Sequence, residues 1–319
     1  MLEREIAAFI ERTYAIYPAN TATLPVAQQR AIYDRYAAAF APPLPAGLRV
    51  ENATFRAPLG HSIRLRLYRP GAESPQLAGT VLCFHGGGFV LGSLDSHEIV
   101  TARLAADTGL CVIAVDYRLA PEHRAPAAHD DCLEVTLAAL EGRLPFASLP
   151  APLQLAGDSA GGNLAASVAL ALRDRGIGGV RGMVLIYPML GAEPQLPARD
   201  TEAHAPMLTL ADVYAFRCLY WDDRRAEGQG DARAWTLPLH ADRFDDLPVT
   251  LVMGVEHDPL RDDARVFVER IHAAGGQAEA WLGAGLVHGC WRGLSTSPGV
   301  QRLHDTVCRF LLDTLRRLD

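Results

Sequence analysis

One short stretch constrains the fold of this chain more than any other: Leu155-Ala156-Gly157-Asp158-Ser159-Ala160-Gly161-Gly162. The residues before it, from Pro152, read as a buried strand, and the residues after it, from Asn163, read as a helix. Ser159 stands on the corner, with Gly157 and Gly161 two positions away on either side. A strand that turns directly into a helix brings those two flanking positions together, so side chains there would clash. Glycine removes the clash and tolerates unusual backbone angles. The corner holds a serine hydroxyl clear of the sheet at a helix N-terminus, where free N–H groups favour negative charge. The spacing alone also fits a glycine-rich turn with Ser159 as an ordinary helix cap, so the rest of the chain has to decide.

The surrounding pattern is α/β. Thr80–Phe84 and Leu110–Val115 are continuous apolar runs, as in strands buried on both faces. In Ser62–Arg69, apolar Ile63, Leu65 and Leu67 alternate with Arg64 and Arg66, as in a half-solvated antiparallel strand. Further strands are expected at Leu153–Ala156, Gly182–Tyr187, Val249–Val255 and Ala278–Leu282. Helices are expected at Ser96–Thr108, Ala127–Glu141, Asn163–Arg175, Arg261–Ala274 and from Val300 to Arg317. Alternating strands and helices imply a mostly parallel sheet with helices on both faces. Two segments fall outside the alternation. Residues 1–45 hold two helices, over Met1–Tyr17 and Val26–Phe40, closed by Pro42-Pro43-Leu44-Pro45. Residues 190–239 hold Pro194, Pro197 and Pro206, a helix over Leu210–Trp221 and a charged loop, Asp222–Asp231. That stretch is too long for a simple connection. The expected division is therefore a core of residues 46–189 and 240–319, roofed by a cap built from 1–45 and the insertion 190–239. Most apolar residues of the insertion's helix are expected to pack on the core and to leave few for a long ligand channel.

Bulk properties narrow the function. The 319 residues carry a formal net charge of −7 and no lysine- or arginine-rich run, which argues against nucleic acid as a partner. No apolar run reaches membrane-spanning length, and the N-terminus, with Glu3, Arg4 and Glu5, lacks a signal-peptide apolar region. The six cysteines are scattered without a C-x-x-C pair, the usage of a reducing, cytoplasmic setting.

Open α/β sheets bind ligands beyond the C-terminal ends of their strands, and the remaining chemistry falls at such ends. After Thr80–Phe84 comes His85-Gly86-Gly87-Gly88-Phe89, whose uncovered amides can approach a ligand oxygen. After Val249–Val255 comes Asp258 with Pro259, which fits an acid at a strand end or a helix cap equally. After the last strand comes His288, between Val287 and Gly289. Serine, then acid, then histidine is the order expected of an α/β-hydrolase. Asp262 and Asp263, one turn past Asp258, are expected only to solvate their helix. Asp158 is expected to hydrogen-bond its surroundings. Asp116, Arg118 and Glu122 read as a structural charged turn, and His97, His123 and His129 have no evident partner.

Jointly, His85-Gly86-Gly87-Gly88-Phe89, Tyr117-Arg118-Leu119-Ala120-Pro121-Glu122-His123, Gly157-Asp158-Ser159-Ala160-Gly161-Gly162 and Asp258-Pro259-Leu260-Arg261-Asp262 resemble the hormone-sensitive-lipase family of α/β-hydrolases. The layout, with Phe89–Asp95, is similar to acetyl-esterase-like carboxylesterases, from about residue 26 onward. The resemblance implies the α/β-hydrolase fold, with a mostly parallel eight-stranded sheet and a helical cap. It implies Ser159 as nucleophile, His288 as general base and acid, and Asp258 as the orienting carboxylate. The oxyanion hole would be the amides of Gly87, Gly88 and Ala160, with no metal and no cofactor. The expected activity is hydrolysis of small short-chain esters. An amidase or formamidase with the same triad stays open, as does a homodimer. A non-catalytic receptor, like the plant gibberellin receptors that resemble this family, is disfavoured because His288 is present. Cys290 departs from the pattern, standing where the family usually has an aromatic residue.

Overall fold

The computed structural model describes residues 1–71, 79–221 and 236–316, so the charged stretch Asp222–Asp231 lies outside the described residues. The strands in chain order are β1 (Leu48–Arg56), β2 (Ser62–Pro70), β3 (Thr80–Phe84), β4 (Cys111–Asp116), β5 (Leu153–Asp158), β6 (Val180–Ile186), β7 (Val249–His257) and β8 (Ala278–Val287). They form one eight-stranded sheet in the order β1-β2-β4-β3-β5-β6-β7-β8. Only β1 with β2 and β2 with β4 are antiparallel. Every other pair is parallel.

The uninterrupted apolar runs are explained by what covers them. Along β3, Leu82 and Phe84 join the core on one face of the sheet, and Val81 and Cys83 join the core on the other. The first face is covered by α4 (Ala127–Leu140), α5 (Ala160–Asp174) and α8 (Arg261–Ala273). The second is covered by α3 (Glu98–Thr108) and α9 (Pro298–Arg316), with Ile6 and Ile10 of α1 (Arg4–Tyr14) in the same cluster. β1 is the strand that the apolar pattern does not reveal. It lies at the sheet edge, and of its nine residues only Phe55 is buried. Its placement is carried by backbone pairing along β2, from Leu48 opposite Pro70 to Arg56 opposite Ser62.

The N-terminal segment contributes α1 and α2 (Val26–Phe40). Between β6 and β7 lie α6 (Ala198–Thr201) and α7 (Leu210–Tyr220). α7 opens with a capping box: Thr209 Oγ1 accepts from the Asp212 amide, and Asp212 Oδ2 accepts from the Thr209 amide. The two segments touch, because the Met207 amide donates to the Tyr14 hydroxyl at 2.8 Å. Among the described residues no helix is long and apolar enough to cross a membrane.

The acids at the start of α8 do not solvate their helix, contrary to the sequence expectation. Asp263 is fully buried, and its carboxylate accepts the amides of Leu190 (2.8 Å), Gly191 (3.3 Å) and Gln195 (2.9 Å). Asp262 accepts the Ala198 amide at 2.8 Å. The acid pair fastens the root of the insertion to the core. It supplies acceptors for backbone donors that burial has taken away from water.

Removing that anchor should loosen the insertion. Asp263→Ala leaves up to three amides without an acceptor, at about 1–3 kcal/mol for each unsatisfied group. A urea titration should therefore show a loss of about 3 kcal/mol or more, and Asp262→Ala should lose less. An Asp263→Ala protein within about 0.5 kcal/mol of wild type, the range of an ordinary surface change, would show that the carboxylate anchors nothing.

Candidate active site

The corner between β5 and α5 is strained as the sequence requires. Ser159 has φ 54° and ψ −118°, outside the regions ordinary residues adopt. Its amide donates to the Ile186 carbonyl of β6 at 2.8 Å. A Cβ at Gly157 would stand 2.2 Å from the Gly161 carbonyl oxygen, and one at Gly161 would stand 1.9 Å from the Phe84 carbonyl oxygen. Both glycines are therefore obligatory on steric grounds, because backbone passes where their side chains would be.

The structure brings the three sequence-predicted side chains together. His288 follows β8 and sets Nε2 2.8 Å from Ser159 Oγ. Its Nδ1 lies 2.8 Å from Asp258 Oδ2. Asp258, at the end of β7, is fully buried, and its other oxygen accepts the Leu260 amide at 2.9 Å. An ionised carboxylate only accepts, so Nδ1 carries the imidazole proton and Nε2 presents its lone pair to the serine hydroxyl. Tyr187 packs on the ring of His288 with centroids 4.7 Å apart.

The glycine loop after β3 lies beside the serine. Gly87 and Gly88 have φ of 120° and 61°, and their amides donate to no acceptor among the described residues. A Cβ on Gly88 would fall 2.5 Å from the Phe216 ring of α7, so the insertion packs directly on this loop. The loop is held from behind. Asp158 Oδ1 accepts the Gly86 amide at 3.0 Å, and Tyr117 donates its hydroxyl to the His85 carbonyl at 2.6 Å. Asp158 thus does what the sequence suggested. His85 is a packed core residue stacked on Tyr117 at 4.2 Å.

Gly87, Gly88, Ser159, Ala160 and His288 open onto a mostly apolar cavity of about 160 Å³, the scale that takes up a benzene-sized group. Its walls bear out only part of the expectation for the insertion: Val213 and Trp221 lie in the core and Leu208, Phe216 and Leu219 pack against it, but several of these residues face the cavity as well. Met207, Leu208, Val213 and Phe216 line the cavity, while among the α7 residues only Val213 and Tyr220 are buried. The Cys290 departure also resolves. Cys290 is buried in the core, and the next residue, Trp291, stands in the cavity wall.

The other polar residues singled out in the sequence find partners of their own. Asp116, Arg118 and Glu122 do not pair with one another; each is bound elsewhere, to Arg64, Asp131 and Arg30 respectively. His97 Nδ1 lies 2.9 Å from Ser96 Oγ and its Nε2 lies 3.7 Å from Asp158, while His129 Nδ1 lies 3.1 Å from Ser167 Oγ. The sequence reading missed Arg292. This buried guanidinium donates to the Tyr33 hydroxyl at 2.9 Å and to the Ser96 carbonyl, and sits 5.2 Å from the ring centres of Tyr33 and Tyr36. Only its position four residues past His288 could have marked it.

Three comparisons relate this chain to known proteins. Residues 81–292 match the family described as having the alpha/beta hydrolase fold. The chain is 37% identical over 247 residues to the esterase LipI of Mycobacterium tuberculosis, covering 76% of this chain and 75% of that protein. It is 34% identical over 238 residues to the ethyl acetate hydrolase of Pseudomonas putida, covering 72% and 71%. Among solved structures, the ester hydrolase EH1AB1 from the metagenome of Lake Arreo, in complex with a bipyridine phosphonate derivative, superposes with a TM-score of 0.88 at 30% identity. That alignment covers 99% of each chain.

The buried histidines around the site make stability fall in acid. Burial pushes His85 down to about 3 and His129 down to about 4, and lowers His97 against the pull of Asp158. Unfolded, each takes up a proton near pH 6.5. Their contribution is present above that pH and is lost as pH falls toward the folded values. Asp263 opposes them: burial raises it to about 7, so its protonation favours the fold as pH falls. Two to three histidines outweigh one acid, so the net slope between pH 6 and 4 should be about one proton or more, ~1.4 kcal/mol per pH unit. Urea midpoints across that range measure it, and His129→Gln should flatten the slope. Stability that is constant or rises on acidification would contradict the burial argument.

Proposed function

This chain belongs to the hormone-sensitive-lipase-like family of α/β-hydrolases, and from that membership and the site geometry we propose that it is a serine carboxylesterase acting on short-chain esters. The observation that carries the reading is the hydrogen-bond chain Ser159–His288–Asp258 opening onto the cavity beside the Gly87–Gly88 loop.

The positions of the groups support the following mechanism. Ser159 Oγ attacks the ester carbonyl while His288 Nε2 takes its proton. Asp258 keeps the proton of the neutral ring on Nδ1 and stabilises the imidazolium that forms. The carbonyl oxygen, now an anion, is met by the amides of Gly87, Gly88 and Ala160, which are oriented before the reaction begins. His288 then protonates the leaving alcohol, and an acyl-enzyme remains on Ser159. Water, deprotonated by the same imidazole, releases the acid and restores the serine. Each role falls to a group of the chain itself. The scattered cysteines, none of which forms a disulfide, favour a cytoplasmic site of action.

The cavity supports the short-chain part of the reading. Phe216 closes down on Gly88, and Met207 and Leu208 complete the wall. Each methylene that fits contributes roughly 0.8 kcal/mol of burial, while one that does not fit costs about 1–3 kcal/mol of overpacking. The profile over p-nitrophenyl esters should peak between acetyl and hexanoyl and collapse by palmitoyl. A kcat/KM still rising beyond decanoyl would refute the short-chain assignment.

Ser159→Ala and His288→Ala should each lower kcat by about 10⁴-fold or more with the fold intact. A serine-directed organophosphate should add its mass to the wild type and not to Ser159→Ala. Near-normal turnover in either variant would sink the triad, and if Asp262→Asn proves more damaging than Asp258→Asn, the acid is misassigned.

A further inference from the structure

Trp291 lines the cavity, yet its indole N–H is held by residues that do not. Only 4% of Trp291 is exposed. A buried indole N–H is a donor with no acceptor capacity of its own and has to find a partner. That partner is His304 Nδ1, 3.2 Å away on α9. The contact fixes the histidine's tautomer. Nδ1 must offer its lone pair, so the ring proton sits on Nε2, which donates to Asp107 Oδ2 at 2.9 Å. Asp107, near the end of α3, also receives the Arg103 guanidinium at 2.6 Å. His304 is fully buried, and Cys308 Sγ also lies 3.4 Å from its Nε2. Neither His304 nor Asp107 reaches the cavity. The chain runs from the protein surface through α3 and α9 to a residue three positions past His288.

We propose that His304 is a positioning residue for substrate selection: through the Trp291–His304–Asp107 hydrogen-bond chain it holds the indole in the cavity wall and so sets how long an acyl group the cavity accepts. The proposal rests on the esterase reading for its substrate and on the hydrogen-bond chain for its device. With the acceptor gone, the indole has no partner for its N–H in its present orientation and is free to turn, which widens the cavity on that side.

The test compares His304→Leu, which fills space without an acceptor, with His304→Asn, whose Oδ1 stands where Nδ1 stood. Trp291→Phe and the His304→Leu/Trp291→Phe double variant complete a cycle. In His304→Leu the ratio of kcat/KM for p-nitrophenyl hexanoate over acetate should rise at least about threefold, a modest coupling for residues in contact. Trp291→Phe should move it the same way, the double variant should add nothing further, and His304→Asn should stay near wild type. If His304→Leu does not fold, Asp107→Ala, on the less buried link, should raise the ratio in the same direction. A lowered Tm with an unchanged ratio would make His304 a packing residue and overturn the proposal. The anchor itself is read from the indole N–H resonance of ¹⁵N-tryptophan-labelled protein, assigned with Trp291→Phe. It should shift in His304→Leu, and an unmoved resonance overturns the anchor. A wild type that hydrolyses none of these esters refutes the esterase reading and the selectivity with it, while the resonance still decides the hydrogen bond.

Discussion

The site depends on one place where three stretches of backbone nearly touch. The strand β3 ends against α5 so closely that the Phe84 carbonyl occupies the space of a Gly161 side chain, and Gly161 in turn occupies that of Gly157. This contact fixes the end of β3, and with it the Gly86–Gly88 loop, relative to the corner carrying Ser159. Neither the Ser159 hydroxyl nor its neighbouring amides could be placed independently afterwards. The strained Ser159 backbone is tolerated because the Ile186 carbonyl on one side and the first turn of α5 on the other over-determine it.

Much of this was legible in the chain because its causes are local. Strands buried on two faces must be apolar throughout, so the central strands announce themselves. A corner this tight must carry glycine, so Gly157 and Gly161 do the same. Strand ends mark where Asp258 and His288 belong, and the family motifs supply the roles. What was not legible depends on distant partners. β1 has no apolar signature because its stability lies in main-chain pairing at an exposed edge. The Asp262–Asp263 pair looked like acids at a helix start, a common surface device, and only the fold reveals that Asp263 meets amides 68 to 73 positions away. Arg292 finds Tyr33 at a separation of 259 positions, and nothing near either residue predicts the pairing.

The insertion was only partly legible for a related reason. A run such as Met207, Leu208, Val213 and Phe216 has to face something apolar, and sequence does not say whether that is core or cavity. Here the answer is mixed. α7 seats Tyr220 on Phe89, ring against ring at 3.9 Å, and turns Phe216 toward Gly88. One helix therefore both packs behind the glycine loop and closes the cavity in front of it. Shifting α7 to enlarge the cavity would also disturb the Gly86–Gly88 loop.

The walls and the chemistry are accordingly held by different kinds of interaction. Ser159, His288 and Asp258 sit on strand ends whose positions follow from apolar burial on both faces of the sheet. Part of the wall comes from peripheral segments, and these are fastened by polar contacts. Asp263 secures the root of the insertion, and Arg292 bridges α2 to the Ser96 carbonyl. Arg30 of α2 donates to the Val90 and Ala120 carbonyls behind the glycine loop, at 2.9 Å in each case. Polar contacts are directional and lose most of their value when misaligned, so each fixes a wall at one setting. Apolar burial depends on area and tolerates small slides. A substitution among the polar fastenings can therefore move a wall while the hydrophobic sheet keeps the triad in register. That gives this fold a route to change its substrate without changing its reaction.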